Sequence, residues 1–262
     1  MSVVLVEVDA RGVATVVLNT PEKHNVLSDT MADALVEAFA ALGADAAVRA
    51  IVLTGAGKSF CAGGDLGWMR RQFEADRATR IAEARRLAMM LFALNTCPKP
   101  VIARVNGTAM GGGLGLMCVA DVAVVADTGK FGFTETRLGV IPATISPYVM
   151  ARMGEGAARR VMMSARVFDA GELVPLGLAA KVVAPDDLDA AVAAEVEPYL
   201  SCAPGAVART KALVRSLGPV IDETVIAETI TALADTWEGA EAQAGIAAFF
   251  AREPAPFARG KG

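Results

Sequence analysis

Two glycine-rich stretches carry the residues best suited to chemistry. Residues 55–65, GAGKSFCAGGD, follow the apolar run RAIVLTG, which has the pattern of a buried strand. The Gly-Lys-Ser triplet resembles part of a phosphate-binding P-loop, whereas glycine backbone after a strand can also present bare N–H groups to a developing oxyanion. The first glycine of a P-loop would fall at Val52, and a second small-residue turn follows where a helix is required. The spacing therefore excludes the P-loop.

The second stretch, NGTAMGGGLGLMCVAD (106–121), follows the strand-like run VIARV (101–105). It does not supply the dinucleotide motif Gly-x-Gly-x-x-Gly, because the last position would be Leu116. Both glycine turns thus lie between a buried strand and the start of a helix. Small residues there let a carbonyl group approach the free N–H groups of the backbone, which favours an oxyanion hole. Glycines that merely form tight turns are the alternative.

The other reactive side chains exclude several kinds of site. The one histidine, His24, lies in the polar turn NTPEKHN, so a histidine-rich metal site cannot form and a Ser-His-Asp triad would need this turn residue. The four cysteines show no Cys-x-x-Cys spacing, which predicts no metal site and is typical of reduced, buried cytoplasmic thiols. They are Cys61, Cys97, Cys118 and Cys202. A net charge of −4 without a basic cluster predicts no nucleic-acid partner.

The composition predicts a cytoplasmic globular protein. A chain of 262 residues, 54% of them hydrophobic, is long enough to bury a core. No stretch approaches the roughly 18 consecutive apolar residues of a membrane span. The start, MSVVLVEVDA, lacks the basic segment and cleavage site of a secretory signal. We therefore expect no membrane partner.

Strand and helix patterns alternate over the first half of the chain. VVLVEVD (3–9) and VATVVLN (13–19) predict a hairpin, and apolar residues at 31, 35, 39 and 42 predict a helix over 28–43. Further strands are predicted at 49–55, 101–105 and 122–127, and one long helix at 66–95. Later helices are predicted at 146–153, 155–164, 186–201, 204–216, 222–236 and 238–251. This order predicts an α/β fold with a mostly helical C-terminal region.

Three blocks resemble the signature segments of the crotonase superfamily, the enoyl-CoA hydratases and isomerases: FCAGGDLGWM (60–69), NGTAMGGGLGLMCVAD (106–121) and FGFTETRLGVIP (131–142). The resemblance covers essentially the whole chain. It implies a ββα-spiral core over residues 1–200, which holds an acyl-CoA thioester. It also implies a helical region over 201–262 that covers the active site and takes part in a homotrimer or homohexamer. No cofactor beyond the CoA of the substrate, and no metal, is implied.

The resemblance assigns the chemistry to three residues. The N–H groups of Gly64 and Gly112 would hold the thioester oxygen, and Glu135 would be the general acid and base. A plain helix-terminal carboxylate is the alternative for Glu135. Six residues match positions that lie along CoA in relatives: Lys23, His24, Ala62, Asp65, Leu66 and Phe250. Trp68 and Met69 would line the acyl pocket or belong to the core.

One carboxylate common among the family's hydratases is missing, because Gly115 stands at its position. A single carboxylate suits a Δ3,Δ2-enoyl-CoA isomerase. The segment GVIPATISPYV (139–149), however, resembles the bacterial methylglutaconyl-CoA hydratases, which also tend to have this glycine. We therefore expect hydration of a branched 2-enoyl-CoA such as 3-methylglutaconyl-CoA. Arg71 or Arg137 could pair with its second carboxylate, although a solvated or structural arginine is the favoured interpretation of each. An isomerase and a non-catalytic acyl-CoA-binding relative remain alternatives. Asp121 is expected to be structural.

Overall fold

The computed structural model describes residues 2–259, which form two sheets and the helices around them. The strands are β1 (Val4–Val8), β2 (Val13–Leu18), β3 (Ala50–Gly55), β4 (Ser59–Cys61), β5 (Val101–Val105), β6 (Thr108–Met110), β7 (Val122–Ala126), β8 (Lys130–Gly132), β9 (Phe168–Asp169) and β10 (Lys181–Val183). The helices are α1 (Asp29–Ala44), α2 (Leu66–Glu74), α3 (Arg77–Thr96), α4 (Gly112–Val119), α5 (Ser146–Met162), α6 (Leu188–Leu200), α7 (Pro204–Leu217), α8 (Glu223–Glu238) and α9 (Ala240–Ala251).

From β3 to β8, successive strands alternate between the two sheets. The larger sheet has the order β1-β2-β3-β5-β7-β10, and all its pairs are parallel except β1 with β2. The smaller sheet has the order β4-β6-β8-β9, with β4, β6 and β8 parallel. Three successive strand pairs, β3 with β4, β5 with β6 and β7 with β8, therefore each contribute one strand to each sheet before a helix follows. The predicted α/β fold with a ββα repeat is confirmed.

The smaller sheet brings three separate parts of the chain to one edge. Because β4, β6 and β8 are parallel neighbours, their carboxyl ends meet there, which is where α/β sheets commonly bind ligands. The first glycine turn follows β4 and the second follows β6. Glu135 opens a short 3-10 helix, Glu135–Leu138, just beyond β8. Topology alone thus gathers the segments that the sequence singled out.

The helices predicted in the first half of the chain are present, except that one of them is divided into two. Met31, Leu35, Phe39 and Leu42 form the buried stripe of α1, as predicted. The long helix predicted over 66–95 is instead two helices, α2 and α3. The physical reason is Asp76, whose carboxylate accepts the N–H of Thr79 at 2.8 Å and so starts a new helix.

The later helices keep nearly their predicted bounds. The two helices predicted at 146–153 and 155–164 are both present within α5, where Gly154 separates them because its φ of +72° and ψ of 164° are not helical. The side chains of α8 and α9 pack with those of α3 in an apolar cluster that includes Ala84, Leu233 and Ile246. This packing explains why the C-terminal third is so apolar. No helix within residues 2–259 has the length and hydropathy needed to cross a membrane.

Three of the four cysteines follow the expectation for buried thiols. Cys61, Cys97 and Cys118 are buried, and desolvation raises the pKa of Cys61 and of Cys118 to about 12. Cys202 is exposed, so the expectation was wrong for that residue. It lies just beyond α6, outside the packed interior.

Candidate active site

A cavity of about 520 Å³ opens where β4, β6 and β8 end. Both glycine turns and Glu135 line it, together with Leu233, Trp237 and Phe249 from the two C-terminal helices. Its walls are mainly apolar, and Glu135 and Arg137 are the charged side chains among the residues that line it. Such a cavity, with few polar groups converging in it, has the character of a small-molecule site.

The first glycine turn presents Gly64 to this cavity. The N–H of Leu27 donates to the carbonyl of Gly63 at 2.8 Å, and the N–H of Asp65 donates to the carbonyl of Leu27 at 3.2 Å. In this pairing the backbone groups of Gly64 point away from Leu27, since alternate residues of an extended segment face opposite sides. Its N–H finds no acceptor among the described residues.

The second turn presents Gly112, the first residue of α4. The first N–H groups of a helix have no partner within it, and none of residues 2–259 accepts that of Gly112. The two turns touch, because a Cβ on Gly63 would lie 3.8 Å from the amide nitrogen of Gly112. Two unpaired N–H donors on adjoining turns of one apolar cavity are the parts of an oxyanion hole.

Both turns require glycine for steric reasons. Gly63 and Gly111 have φ of +96° and +46°, values that strain any other residue. A Cβ on Gly111 would also lie 2.6 Å from Oε1 of Glu135. The absence of a side chain at position 111 therefore leaves room for the carboxylate.

The Glu135 carboxylate is desolvated beside these donors. Its Oε2 is buried and has no hydrogen-bond partner among the described residues. Desolvation raises the pKa of Glu135 from 4.5 to about 7, and its own backbone N–H only partly opposes this. A carboxyl group with a pKa near neutrality can both accept and return a proton. Its assignment as the acid and base, like that of the two glycines, stays a prediction.

The space beside Gly115, where a second carboxylate would lie, is filled by neighbouring side chains. A Cβ on Gly115 would lie 2.4 Å from Cγ2 of Ile145 and 3.7 Å from Cδ2 of Leu91. Gly115 is buried, whereas Ile145 lines the cavity. Glycine at 115 is therefore required by packing, and no side chain from α4 reaches the cavity at that position.

Lys23 and His24, predicted to lie along CoA, are exposed residues of a turn beside the first glycine turn. The carbonyl of His24 accepts the N–H of Ala62 at 2.9 Å, and its Nδ1 lies 3.0 Å from Oγ of Ser59. This places the turn at the rim of the cavity without lining it. Their contact with CoA stays a prediction.

The neighbouring predicted CoA residues divide into two groups. Ala62 and Leu66 line the cavity, and Leu66 is 53% exposed. Asp65 does not line it, since its carboxylate caps α2 by accepting the N–H of Trp68 at 2.8 Å. This cap is a structural role of the side chain, and contact of Asp65 with CoA stays a prediction.

The predicted C-terminal residue, Phe250, does not line this cavity, whereas its neighbour does. Phe249 lines the cavity, whereas the ring of Phe250 lies 4.9 Å below the guanidinium of Arg70 and packs in the cluster of α3, α8 and α9. Neighbouring residues of a helix face different directions, so sequence similarity alone did not distinguish them. Contact of Phe250 with CoA stays a prediction.

The two candidate arginines have different surroundings. Arg71 pairs with Asp29 at 2.7 Å and does not line the cavity. Arg137 is exposed at the cavity wall, and no carboxylate of residues 2–259 lies within 4 Å of it. Asp121 is structural, as expected: its Oδ2 accepts the N–H of Val101 and the ammonium of Lys211, both at 2.7 Å.

Trp68 and Met69 line the cavity, in line with the pocket alternative. Sequence reasoning missed Leu27, Thr144 and Ile145 among the lining residues. The one feature of the sequence that could have pointed to these residues is Thr144, a polar residue within the apolar run GVIPATI (139–145). Within residues 2–259 no group of three or more His, Cys, Asp or Glu side chains is placed to hold a metal ion.

Comparison with known proteins shows the family to which the chain belongs. The model of the family "Enoyl-CoA hydratase/isomerase" matches residues 9–260. A Thermus thermophilus protein named "Putative enoyl-CoA hydratase" is 35% identical, over 97% of this chain and 100% of its own. An enoyl-CoA hydratase structure from Shewanella pealeana is 36% identical with a TM-score of 0.80, covering 97% of this chain and 96% of its own. An enoyl-CoA hydratase structure from Mycobacterium avium is 28% identical with a TM-score of 0.85, covering 98% of this chain and 100% of its own.

The crotonase fold is thus shared along the whole chain, and the substrate class of this fold is an acyl-CoA, whose CoA part takes the place of a separate cofactor. These matches lead to one conclusion: the chain is an enzyme of the enoyl-CoA hydratase/isomerase family.

Proposed function

We propose that this protein adds water reversibly across the double bond of a 2-enoyl-CoA. The observation that carries the proposal is the position of Glu135, whose Oε1 lies against Gly111, between the turns that expose the N–H groups of Gly64 and Gly112. A thioester oxygen held by the two N–H groups would place its Cα and Cβ within the same cavity as the carboxylate.

The proposed hydration uses the carboxylate twice. Glu135 takes a proton from water as the water oxygen bonds to Cβ, and the π electrons move onto the thioester oxygen. Gly64 and Gly112 donate to this enolate oxygen, which carries more charge than the ground-state carbonyl and is therefore stabilised more. Glu135 then gives the proton to Cα as the carbonyl re-forms. Hydrogen and hydroxyl are added, and the enzyme is unchanged.

We propose an acyl group with a second carboxylate, such as 3-methylglutaconyl, as the preferred substrate. The support is Arg137, the one cation in a mainly apolar wall and without a carboxylate partner among the described residues. A cation there favours an acyl chain that ends in an anion over a plain fatty chain. Arg71, the other candidate, is already paired with Asp29.

A Δ3,Δ2-enoyl-CoA isomerase is the second candidate. It is favoured by Gly115, because Ile145 fills the space in which a second carboxylate would lie. One base suffices to move a proton between Cα and Cγ, whereas hydration also needs an oriented water.

A product assay decides between the two. The purified protein is incubated with 3-methylglutaconyl-CoA, crotonyl-CoA and a 3-enoyl-CoA, and the products are analysed by mass spectrometry. The gain of one water, fastest with the methylglutaconyl ester, is the expected result. A shift of the double bond without a change of mass would show an isomerase and overturn the hydratase.

We further propose that the protein assembles as a homotrimer or homohexamer, with the region 201–262 taking part; residues 260–262 lie outside the described residues. The support is α7, which has no buried residue and exposes Leu213 and Leu217 at 58% and 79%. Light scattering of the purified protein measures the mass. The cytoplasmic location stays a prediction from the sequence.

A further inference from the structure

We propose that the hydroxyl of Thr144 orients the water that attacks Cβ, a role that rests on the hydration proposed above. The need arises from the chemistry of the site. Water has to be both oriented and deprotonated, and Glu135 is the one carboxylate among the residues that line the cavity. A second polar group is therefore required to direct the water oxygen at Cβ.

The polar group stands next to the place where the second carboxylate is missing. Ile145 occupies the space beside Gly115, which leaves no room for a side chain at position 115. Thr144 precedes Ile145 in the chain and lines the cavity. The segment whose Ile145 fills the space beside Gly115 thus also supplies the hydroxyl of Thr144 to the cavity.

The hydroxyl of Thr144 is free for a ligand. The residue is only 7% exposed, and its Oγ1 forms no hydrogen bond with any of residues 2–259. This hydroxyl is not among the buried side-chain atoms that lack a partner, so it remains accessible although the residue as a whole is buried. Because Thr144 lines the cavity, a water or ligand in the cavity can form a hydrogen bond with it.

The loop that carries Thr144 is held in place. Oγ of Ser146 donates to the carbonyl of Pro142 at 2.7 Å, and the N–H of Ser146 donates to the carbonyl of Ala143 at 3.1 Å. These bonds close a turn around Thr144 at the start of α5. A fixed donor and acceptor can hold water in one orientation, whereas a mobile one cannot.

In the proposed step the Thr144 hydroxyl exchanges no proton with the substrate. It holds one hydrogen bond to the water while Glu135 removes a proton and the water oxygen bonds to Cβ. The removed proton returns to Cα through Glu135. Thr144 is therefore a positioning residue, and proton transfer between Glu135 and Cα does not depend on it.

The test separates water addition from proton transfer. Thr144→Val, Thr144→Ser and the wild type are compared in two assays: hydration of the best 2-enoyl-CoA, and exchange of the α-proton of butyryl-CoA in D₂O by mass spectrometry. Thr231→Val, on the exposed side of α8, is the matched control. Thr134→Val removes the other threonine hydroxyl of the cavity wall.

We expect kcat for hydration to fall about 10- to 100-fold in Thr144→Val, with α-proton exchange within twofold of wild type and hydration largely restored in Thr144→Ser. Unchanged hydration, an equal loss in both assays, or a loss confined to Thr134→Val would each overturn the role of Thr144. A wild-type protein that exchanges the α-proton but adds no water would instead overturn the proposed hydration. The two failures are therefore distinguishable.

Discussion

Replacing Glu135 with glutamine is expected to lower the activity strongly and to stabilise the folded protein at neutral and alkaline pH. Desolvation raises the pKa of this carboxyl to about 7 in the folded state, whereas it ionises near 4.5 when unfolded. A difference of this size corresponds to about 3 kcal/mol of folding free energy at most. Between pH 4.5 and 7 the folded state holds a proton that the unfolded state has released. The free energy of unfolding of the wild type therefore falls as pH rises through this window, and the contribution levels off above it.

The glutamine of Glu135→Gln does not titrate, so its contribution to stability does not change with pH. The free energy of unfolding of the variant should therefore exceed that of the wild type by nearly zero at pH 4.5 and by as much as about 3 kcal/mol at pH 8. Urea unfolding of both proteins at pH 5 and pH 8 measures the difference, and the product assay should show a loss of about 10²- to 10⁴-fold. Glu228→Gln, at an exposed glutamate of α8, is the control and should change stability by less than about 0.5 kcal/mol at either pH. If the free energy of unfolding differs between Glu135→Gln and the wild type by the same amount at both pH values, the claim that desolvation raises the pKa of Glu135 is refuted.

Two further substitutions test the packing and the charge of the site. Gly115→Ala places a Cβ 2.4 Å from Cγ2 of Ile145 and should lower the free energy of unfolding by about 1–3 kcal/mol in urea titration. Gly156→Ala, a helical glycine with no atom within 4 Å of the new Cβ, should instead raise it by about 0.5–1 kcal/mol, and equal effects would contradict the crowding at 115. Arg137→Gln should raise KM for 3-methylglutaconyl-CoA about tenfold and leave KM for crotonyl-CoA unchanged. The same change at Arg71 should affect neither ester, and a similar rise for both esters in Arg137→Gln would remove the proposed pairing.

Local patterns predicted most of the fold. The hairpin of β1 and β2, the buried stripe of α1 and the C-terminal helices all follow from apolar periodicity, which reflects contacts between residues near in sequence. The one helix predicted over 66–95 was wrong, because Asp76 bonds to the backbone of Thr79 and starts a second helix. A polar residue in a helical pattern does not by itself reveal whether it caps or merely faces solvent.

By itself the sequence determined which residue types stand in the glycine turns, that one glutamate lies in the third block, and that Gly115 carries no carboxylate. The tertiary structure decided what these residues are able to do. Burial of Glu135 against Gly111, closure of the Gly115 space by Ile145 and the open hydroxyl of Thr144 all depend on residues brought together from different elements. Desolvation and steric exclusion act through space, so no pattern of neighbours along the chain could have revealed them.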